Sequence, residues 1–259
     1  MRDRVVTVTG GGSGIGRAAV LLAAERGARV VALDIDGESA EAVSEEARGR
    51  GAAEALGLTC DVTQEREVEA AMAEAERRLG PLYGMFANAG TDIGGLVHEL
   101  ELQTWERVLR TNLTGVFLTC KHALRAMIAT GTSGSIVCTS SPAAVVSFSA
   151  GGVGAYAASK GGVSALVRCM SLDYARYGIR VNAIMPGPTE TRLMWANVPE
   201  EDRDRMRGII NSEVPLGRLA RAEEIAHAAL WLLSDDASYV TGSHLVCEGG
   251  FLSKASISV

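Results

Sequence analysis

The chain has 259 residues, 47% of them hydrophobic and 22% charged, with a formal net charge of −6. So much apolar side chain at modest charge excludes a disordered chain, and 30 glycines with no period of three exclude a collagen-like one. The balance of 25 basic to 31 acidic residues, with no Lys/Arg-rich run, argues against nucleic acid or an anionic membrane as the main partner.

Short β-branched runs alternate with alanine-rich helical patterns. A strand is predicted over 4–9, then a helix over 14–26 in which Ile15, Ala19, Leu22 and Ala23 share one face. A strand over 29–33, a helix over 38–48, a strand over 53–58, a helix over 64–79 and a strand over 82–87 come next. A long helix is expected over 105–128, a strand over 135–139, a second long helix over 156–177 and a strand over 179–184. A helix over 222–234 and a strand near 245–247 come last. Strands alternating with helices indicate parallel βαβ units. The expected fold is therefore α/β: a single doubly wound, Rossmann-type domain over 1–259, with about seven parallel strands and helices on both faces. The segment 187–217 carries Met194, Trp195, Val198, Met206 and Ile209 among charges and reads as a substrate lid. No apolar stretch approaches the roughly 18 residues needed to span a bilayer, and the first residues enter a strand at once, so a cytoplasmic protein is expected. Five scattered cysteines without C-x-x-C read as small buried hydrophobes, and the four histidines lack ligand spacing, so no metal site is expected.

The first strand ends in Thr9-Gly10-Gly11-Gly12-Ser13-Gly14-Ile15-Gly16, and a helix begins directly after it. A turn without side-chain bulk lets backbone N–H groups approach a phosphate, and the helix N-terminus adds partial positive charge. The spacing is neither the literal G-x-G-x-x-G nor a P-loop, since Arg17 stands where the latter needs Lys. Asp34, with Ile35 beside it, closes the second strand eighteen residues after Gly16, where the dinucleotide fold places a carboxylate against the ribose hydroxyls. Like-charge repulsion from Asp34 and nearby Asp36 disfavours a 2′-phosphate, so NAD is expected over NADP.

Tyr156 and Lys160 stand four residues apart on one helix, so phenol and ammonium project together. A phenol with a pKa near 10 is a poor base at neutral pH, and a nearby cation favours phenolate. Lowering that pKa by roughly 3 units requires about 4 kcal/mol. Alone, the pair is a weak signal. Asn112 lies in a helix on a stripe with Val108 and Val116, and a buried amide there must find partners.

Thr9–Gly16, Asp61, Asn88-Ala89-Gly90, Asn112, Ser140-Ser141, Tyr156–Lys160, Pro186-Gly187 and Gly249-Gly250 occur in this order. Together they make the chain resemble the short-chain dehydrogenase/reductase family over nearly its whole length. The resemblance implies that Gly10, Ser13, Gly14, Ile15 and Gly16 cradle the cofactor, that Asp61 with Val62 holds the adenine amino group, and that Asn88, Ala89 and Gly90 line the cleft. Pro186 and Gly187 flank the nicotinamide, and Thr189 and Thr191 look like its carboxamide anchors. Tyr156 resembles the general acid/base, Lys160 its partner that also bonds the nicotinamide ribose, Ser141 the hydroxyl orienting the substrate, and Asn112 a link in a water relay. An ordinary core amide bonding the backbone is the other reading of Asn112. The separation from Ser141 to Tyr156, fifteen residues, is two longer than the family's usual one, which points to an insertion near 149–154 and leaves Ser140 as the alternative. Glu248 stands where Asp is usual.

The expected activity is NAD-dependent interconversion of a secondary alcohol and a ketone by hydride transfer. An NADPH-dependent 3-oxoacyl reductase and a non-catalytic NAD-binding regulatory protein are the rivals. The pocket is expected from 91–96, 142–155 and 187–217. Val145, Val146, Phe148, Met194 and Trp195 would suit an apolar, cyclic or diol substrate, or would simply seal a lid. No Arg or Lys occurs in 91–96, which disfavours a strongly anionic substrate. The resemblance also implies a homotetramer packed through the two long helices, with 251–259 joining an interface.

Overall fold

Seven strands of the computed structural model, which describes residues 1–148, 151–196 and 198–253, lie in one sheet. They are β1 (Val5–Thr9), β2 (Arg29–Asp34), β3 (Ala55–Thr59), β4 (Leu82–Ala87), β5 (Ser135–Thr139), β6 (Arg180–Pro186) and β7 (His244–Cys247). All adjacent pairs are parallel, in the order β3-β2-β1-β4-β5-β6-β7. The chain starts at β1, winds one way to β3, then returns past β1 to build β4 outward. The carboxyl ends of β1 and β4 therefore diverge at a topological switch point, where doubly wound sheets open a crevice.

Alternation of side chains along each strand feeds two cores. Val31, Leu33 and Met85 face α3 (Glu65–Leu79), α5 (Gly115–Thr130) and α6 (Gly154–Asp173), meeting Met72, Leu124, Met127 and Val167. Val6, Val8, Val30, Ala32 and Phe86 face α1 (Gly14–Glu25), α2 (Gly37–Gly49) and α9 (Ala222–Leu233), meeting Val20, Val43, Ile225 and Leu230. No described helix is long and apolar enough to cross a membrane.

The helix expected over 105–128 is two helices. α4 (Leu102–Leu109) passes through a π-helical turn, Arg110–Thr114, into α5. A π-turn inserts an extra residue into the i→i−4 ladder and re-aims the next helix, which periodicity averages away. α6 starts at Gly154, and a 3-10 turn over Ala175–Tyr177 ends on Gly178 in the left-handed region. Within 187–217 stand α7 (Arg192–Trp195) and α8 (Arg203–Glu213). α8 has no buried residue, so no apolar stripe marks it. Cys60, Cys120 and Cys138 are buried as expected, but Cys169 is exposed.

At the amino ends of the central strands, opposite the crevice, Asp235 bonds Arg4 at 2.8 Å and accepts the Tyr83 hydroxyl at 2.8 Å. The Arg4 guanidinium lies 3.9 Å from the Tyr83 ring centre. Arg180 donates to the carbonyls of Leu232 and Ser234, both at 2.8 Å, fastening the end of α9 to the start of β6. The bonds from Arg4 and Tyr83 pull the Asp235 carboxyl down from 3.8 to about 2. A depressed carboxyl contributes stability above its ordinary value and loses it as falling pH protonates it in the folded state. Asp235→Asn should therefore lower the urea midpoint at pH 7. The gap to the parent should narrow as pH falls below 3.8 towards about 2; a gap that stays constant with pH would contradict this clamp.

Candidate functional site

The glycine turn is shaped by two close approaches. Gly10 has φ +63° and packs on the Ala89 backbone, and at Gly16 a Cβ would run into the Gly10 carbonyl oxygen. The Gly12 N–H donates to Asp34 Oδ2 at 2.9 Å, and the Asp36 N–H to Asp34 Oδ1 at 3.1 Å. Asp34 is thus fixed at the edge of the turn. Asp36 caps α2 in its turn, with its carboxylate accepting from Ser39 N and Oγ.

Asn88, at the end of β4, joins three strands. Its backbone N–H donates to Thr9 Oγ1 at 3.0 Å, its Nδ2 to the Thr9 carbonyl at 3.1 Å, and Thr139 Oγ1 donates to its Oδ1 at 3.2 Å. The Thr139 carbonyl then accepts from Lys160 Nζ at 2.8 Å. Lys160 is buried, and loss of solvent pulls its ammonium down to about 8. Its Nζ lies 5.6 Å from the Tyr156 ring centre.

Ser140 and Ser141 have different surroundings. Ser140 Oγ bonds the Lys160 carbonyl at 3.1 Å and Ser164 Oγ at 2.7 Å, inside the protein. Ser141 Oγ accepts from Ala143 N at 3.2 Å, and its hydrogen bond to Tyr156 lowers the phenol pKa. Burial nevertheless outweighs that bond, and Asp92 adds a repulsive charge, so Tyr156 is pushed up to about 12. Burial exceeds any lowering by Lys160. The ammonium is turned to the Thr139 carbonyl, and desolvation dominates.

Asn112 reaches neither Tyr156 nor Lys160 directly. Its Oδ1 accepts from Thr91 N at 2.7 Å, and its Nδ2 donates to the Thr91 carbonyl at 2.8 Å and to Ser159 Oγ at 3.2 Å. Both ends of its amide are engaged, and it clamps the loop after Gly90 onto α6. The same loop is held at Gly95, whose N–H donates to the Gly152 carbonyl at 2.7 Å.

Thr189 Oγ1 donates to the Gly187 carbonyl at 2.8 Å, and Thr191 caps α7 by accepting from Met194 N at 3.3 Å. Between them Glu190 accepts from Trp195 Nε1 at 2.7 Å and pairs with Arg207, whose guanidinium stacks 4.9 Å from the Trp195 ring centre. One carboxylate therefore ties α7 and α8 to the end of β6. Asp61 Oδ1 accepts from Thr63 N at 2.9 Å.

These parts enclose a cleft of about 700 Å³. It is lined by every predicted cofactor residue except Gly16, which supports the turn from below. Ser140 also lines it; Asn112 is fully buried beside it, and Ser141 reaches it through its hydrogen bond to Tyr156. Arg107, Arg110 and Arg192, Thr63 and Asp92 also line it. In sequence the three arginines look like solvated helix charges, and Asp92 like a loop acid. The cleft therefore holds cations, although the 91–96 loop has none. Phe148 packs edge-on against Phe251 with ring centres 5.9 Å apart, tying the start of the C-terminal segment to the 142–155 loop, no described residue of which lines the cleft. Ser149 and Ala150 of the expected insertion, and 254–259, lie outside the described residues. Among the described residues no group of three or more His, Cys, Asp or Glu could hold a metal.

A glycine turn, a fixed carboxylate at the second strand and a cleft at the switch point are the layout of a dinucleotide-binding protein. The family model described as Enoyl-(Acyl carrier protein) reductase matches residues 10–252. A 2,5-dichloro-2,5-cyclohexadiene-1,4-diol dehydrogenase of Sphingobium indicum is 42% identical over 256 residues, 97% of this chain and 98% of the relative. A cis-4-hydroxycyclohexanecarboxylate dehydrogenase of Sinomonas cyclohexanicum is 43% identical over 250 residues, 96% of each. The crystal structure of levodione reductase aligns with a TM-score of 0.92 at 35% identity, covering 98% of this chain and 100% of that one. The chain belongs to the short-chain dehydrogenase/reductase family.

Replacing Asn112 by alanine leaves the Thr91 N–H and C=O without partners. We expect a loss of about 1–3 kcal/mol in urea unfolding. A variant as stable as the parent would show that the clamp carries no weight.

Proposed function

We propose that the protein is an NAD-dependent dehydrogenase of cyclic secondary alcohols, with Tyr156 as the general base in oxidation. The observation that carries this reading is Tyr156 and Lys160, one turn apart on α6, lining the same cleft as the glycine turn. The cyclic-alcohol names of the relatives support the substrate class.

The residues fit a dinucleotide. Gly10 and Gly14 adopt positive φ, and any Cβ at Gly12 would crowd Asp34 Oδ2 at 3.0 Å. In this reading the turn amides hold the pyrophosphate, Asp34 the adenosine ribose hydroxyls, Asp61 and Val62 the adenine, and Thr189 and Thr191 the carboxamide. Asp34 favours NAD, because a 2′-phosphate there would face a carboxylate pinned by two backbone amides. When bound, the cofactor supplies the hydride acceptor, as cofactors commonly carry the hard chemistry.

The protein side chains do the rest. Ser141 holds the substrate oxygen and Tyr156 Oη accepts its proton. Tyr156 at about 12 is a weak base, so positive charge must accumulate beside it for the proton to move. Lys160, near 8, is largely protonated at neutral pH and supplies one such charge. Asn112 acts by holding Thr91 and Ser159, and it is the link through which a water relay would be anchored. The 187–217 segment serves as the lid, latched by Glu190. We further propose a homotetramer through the long helices, where Phe117 on α5 and Leu172 on α6 are exposed apolar residues. An NADPH-driven acyl reductase is favoured only by the description of the matched family model.

Tyr156→Phe should lower kcat for cyclohexanol oxidation by roughly 10²–10⁴-fold while NADH still binds by fluorescence titration. Near-normal turnover would remove Tyr156 from the mechanism. Asp34→Ala should shift the NAD-to-NADP ratio of kcat/KM towards NADP by about tenfold, ~1.4 kcal/mol. An unchanged ratio would assign cofactor choice elsewhere.

A further inference from the structure

We infer that Asp92 is a specificity-determining residue, whose carboxylate accepts a hydrogen bond from a second hydroxyl on the substrate, so that the enzyme selects diols over simple cyclic alcohols. This inference rests on the alcohol-dehydrogenase reading above and names the substrate class within it.

Asp92 lines the same cleft as Tyr156 and Lys160, two residues beyond Gly90. Its charge acts on both of them, so the carboxylate stands within electrostatic reach of the reacting end. Its position is not left to a floppy loop. The residue before it is clamped at both backbone groups by Asn112, and Gly95 beyond it is bonded to Gly152. Burial pushes the Asp92 carboxyl upward against the pull of Lys160, and the half-buried residue lines the space a substrate would fill, where a carboxylate can accept a further hydrogen bond. A carboxylate accepts hydrogen bonds and donates none, so among uncharged ring substrates it discriminates by the presence of an extra O–H. A site built to bond a hydroxyl rejects the analogue that lacks it more strongly than an apolar pocket rejects an extra one.

The test compares cyclohexanol with the 1,2- and 1,4-cyclohexanediols, with NAD, in the full-length protein and in Asp92→Ala and Asp92→Asn. The parent should prefer at least one diol in kcat/KM. In Asp92→Ala that diol should lose about tenfold or more beyond the loss on cyclohexanol, mainly through KM. Asp92→Asn, nearly isosteric and still an acceptor, should fall between and guards against misfolding of the alanine variant. Equal losses on both substrates would mean that Asp92 acts only through its field on Tyr156 and Lys160, which overturns the inference. A parent that oxidises cyclohexanol with no diol preference overturns it too, while leaving the dehydrogenase reading intact. A parent that oxidises none of these alcohols overturns the dehydrogenase reading, and the inference with it.

Discussion

Asn88 is the residue on which the arrangement of the site depends. At a topological switch point two strand ends must diverge to open a crevice, yet the groups they carry must stay in register. Here the backbone N–H and the side-chain amide of Asn88 bond β1 at Thr9, and its side-chain oxygen accepts from β5 at Thr139. Thr139 passes the connection to Lys160 on α6 through its carbonyl. The glycine turn and the lysine, 150 residues apart in sequence, are thereby joined by a few consecutive hydrogen bonds. Each group in the seam is wholly or partly buried, so breaking one bond strands its neighbour, which is the condition under which small polar networks impose a unique geometry.

That rigidity bears on the electrostatics. Burial moves Tyr156 and Lys160 towards their neutral forms, one upward to about 12 and the other down to about 8. Proximity on a helix does not make a tyrosine basic while desolvation exceeds the attraction. What the fold supplies is an ammonium that cannot move away, a serine hydroxyl that already favours the phenolate, and an acid, Asp92, that opposes it. Reactivity in such a site turns on the charge balance around a fixed phenol. A single substituted carboxylate or hydroxyl therefore matters more there than on the surface.

The doubly wound sheet was legible because its signals are local. Strands such as 82–87 and 135–139 are short apolar runs between helical patterns, and the glycine turn marks the first crossover by composition alone. The residues that line the candidate cleft were legible because they sit at strand ends and helix starts, where order along the chain fixes proximity. The π-turn at Arg110–Thr114 was not, since a one-residue insertion leaves the apolar stripe nearly unchanged over a long window. Nor were α7 and α8, whose charged sequences show no buried face of their own beyond Trp195. Asp92 was hidden for a different reason. A loop acid becomes chemically distinct only when a distant helix residue, Asn112, folds its loop over the cleft.

Two asparagines show how the fold uses the same device twice. Asn112 binds both backbone groups of Thr91, and Asn182 on β6 donates to the Val240 carbonyl at 2.8 Å and accepts from Ser243 N at 3.0 Å. In each case a buried amide takes the place of a strand partner for a segment that cannot join the sheet. The first fixes the loop that carries Asp92, and the second aligns the entry to β7, whose pairing with β6 runs up to Pro186 and Cys247 beside Gly187. Glu190 adds the third fastening, by a carboxylate, between β6 and the two helices of 187–217. The sheet sets where the cleft lies, but these three side chains set its walls, because a loop without ladder partners takes its position from whichever side chain satisfies its backbone.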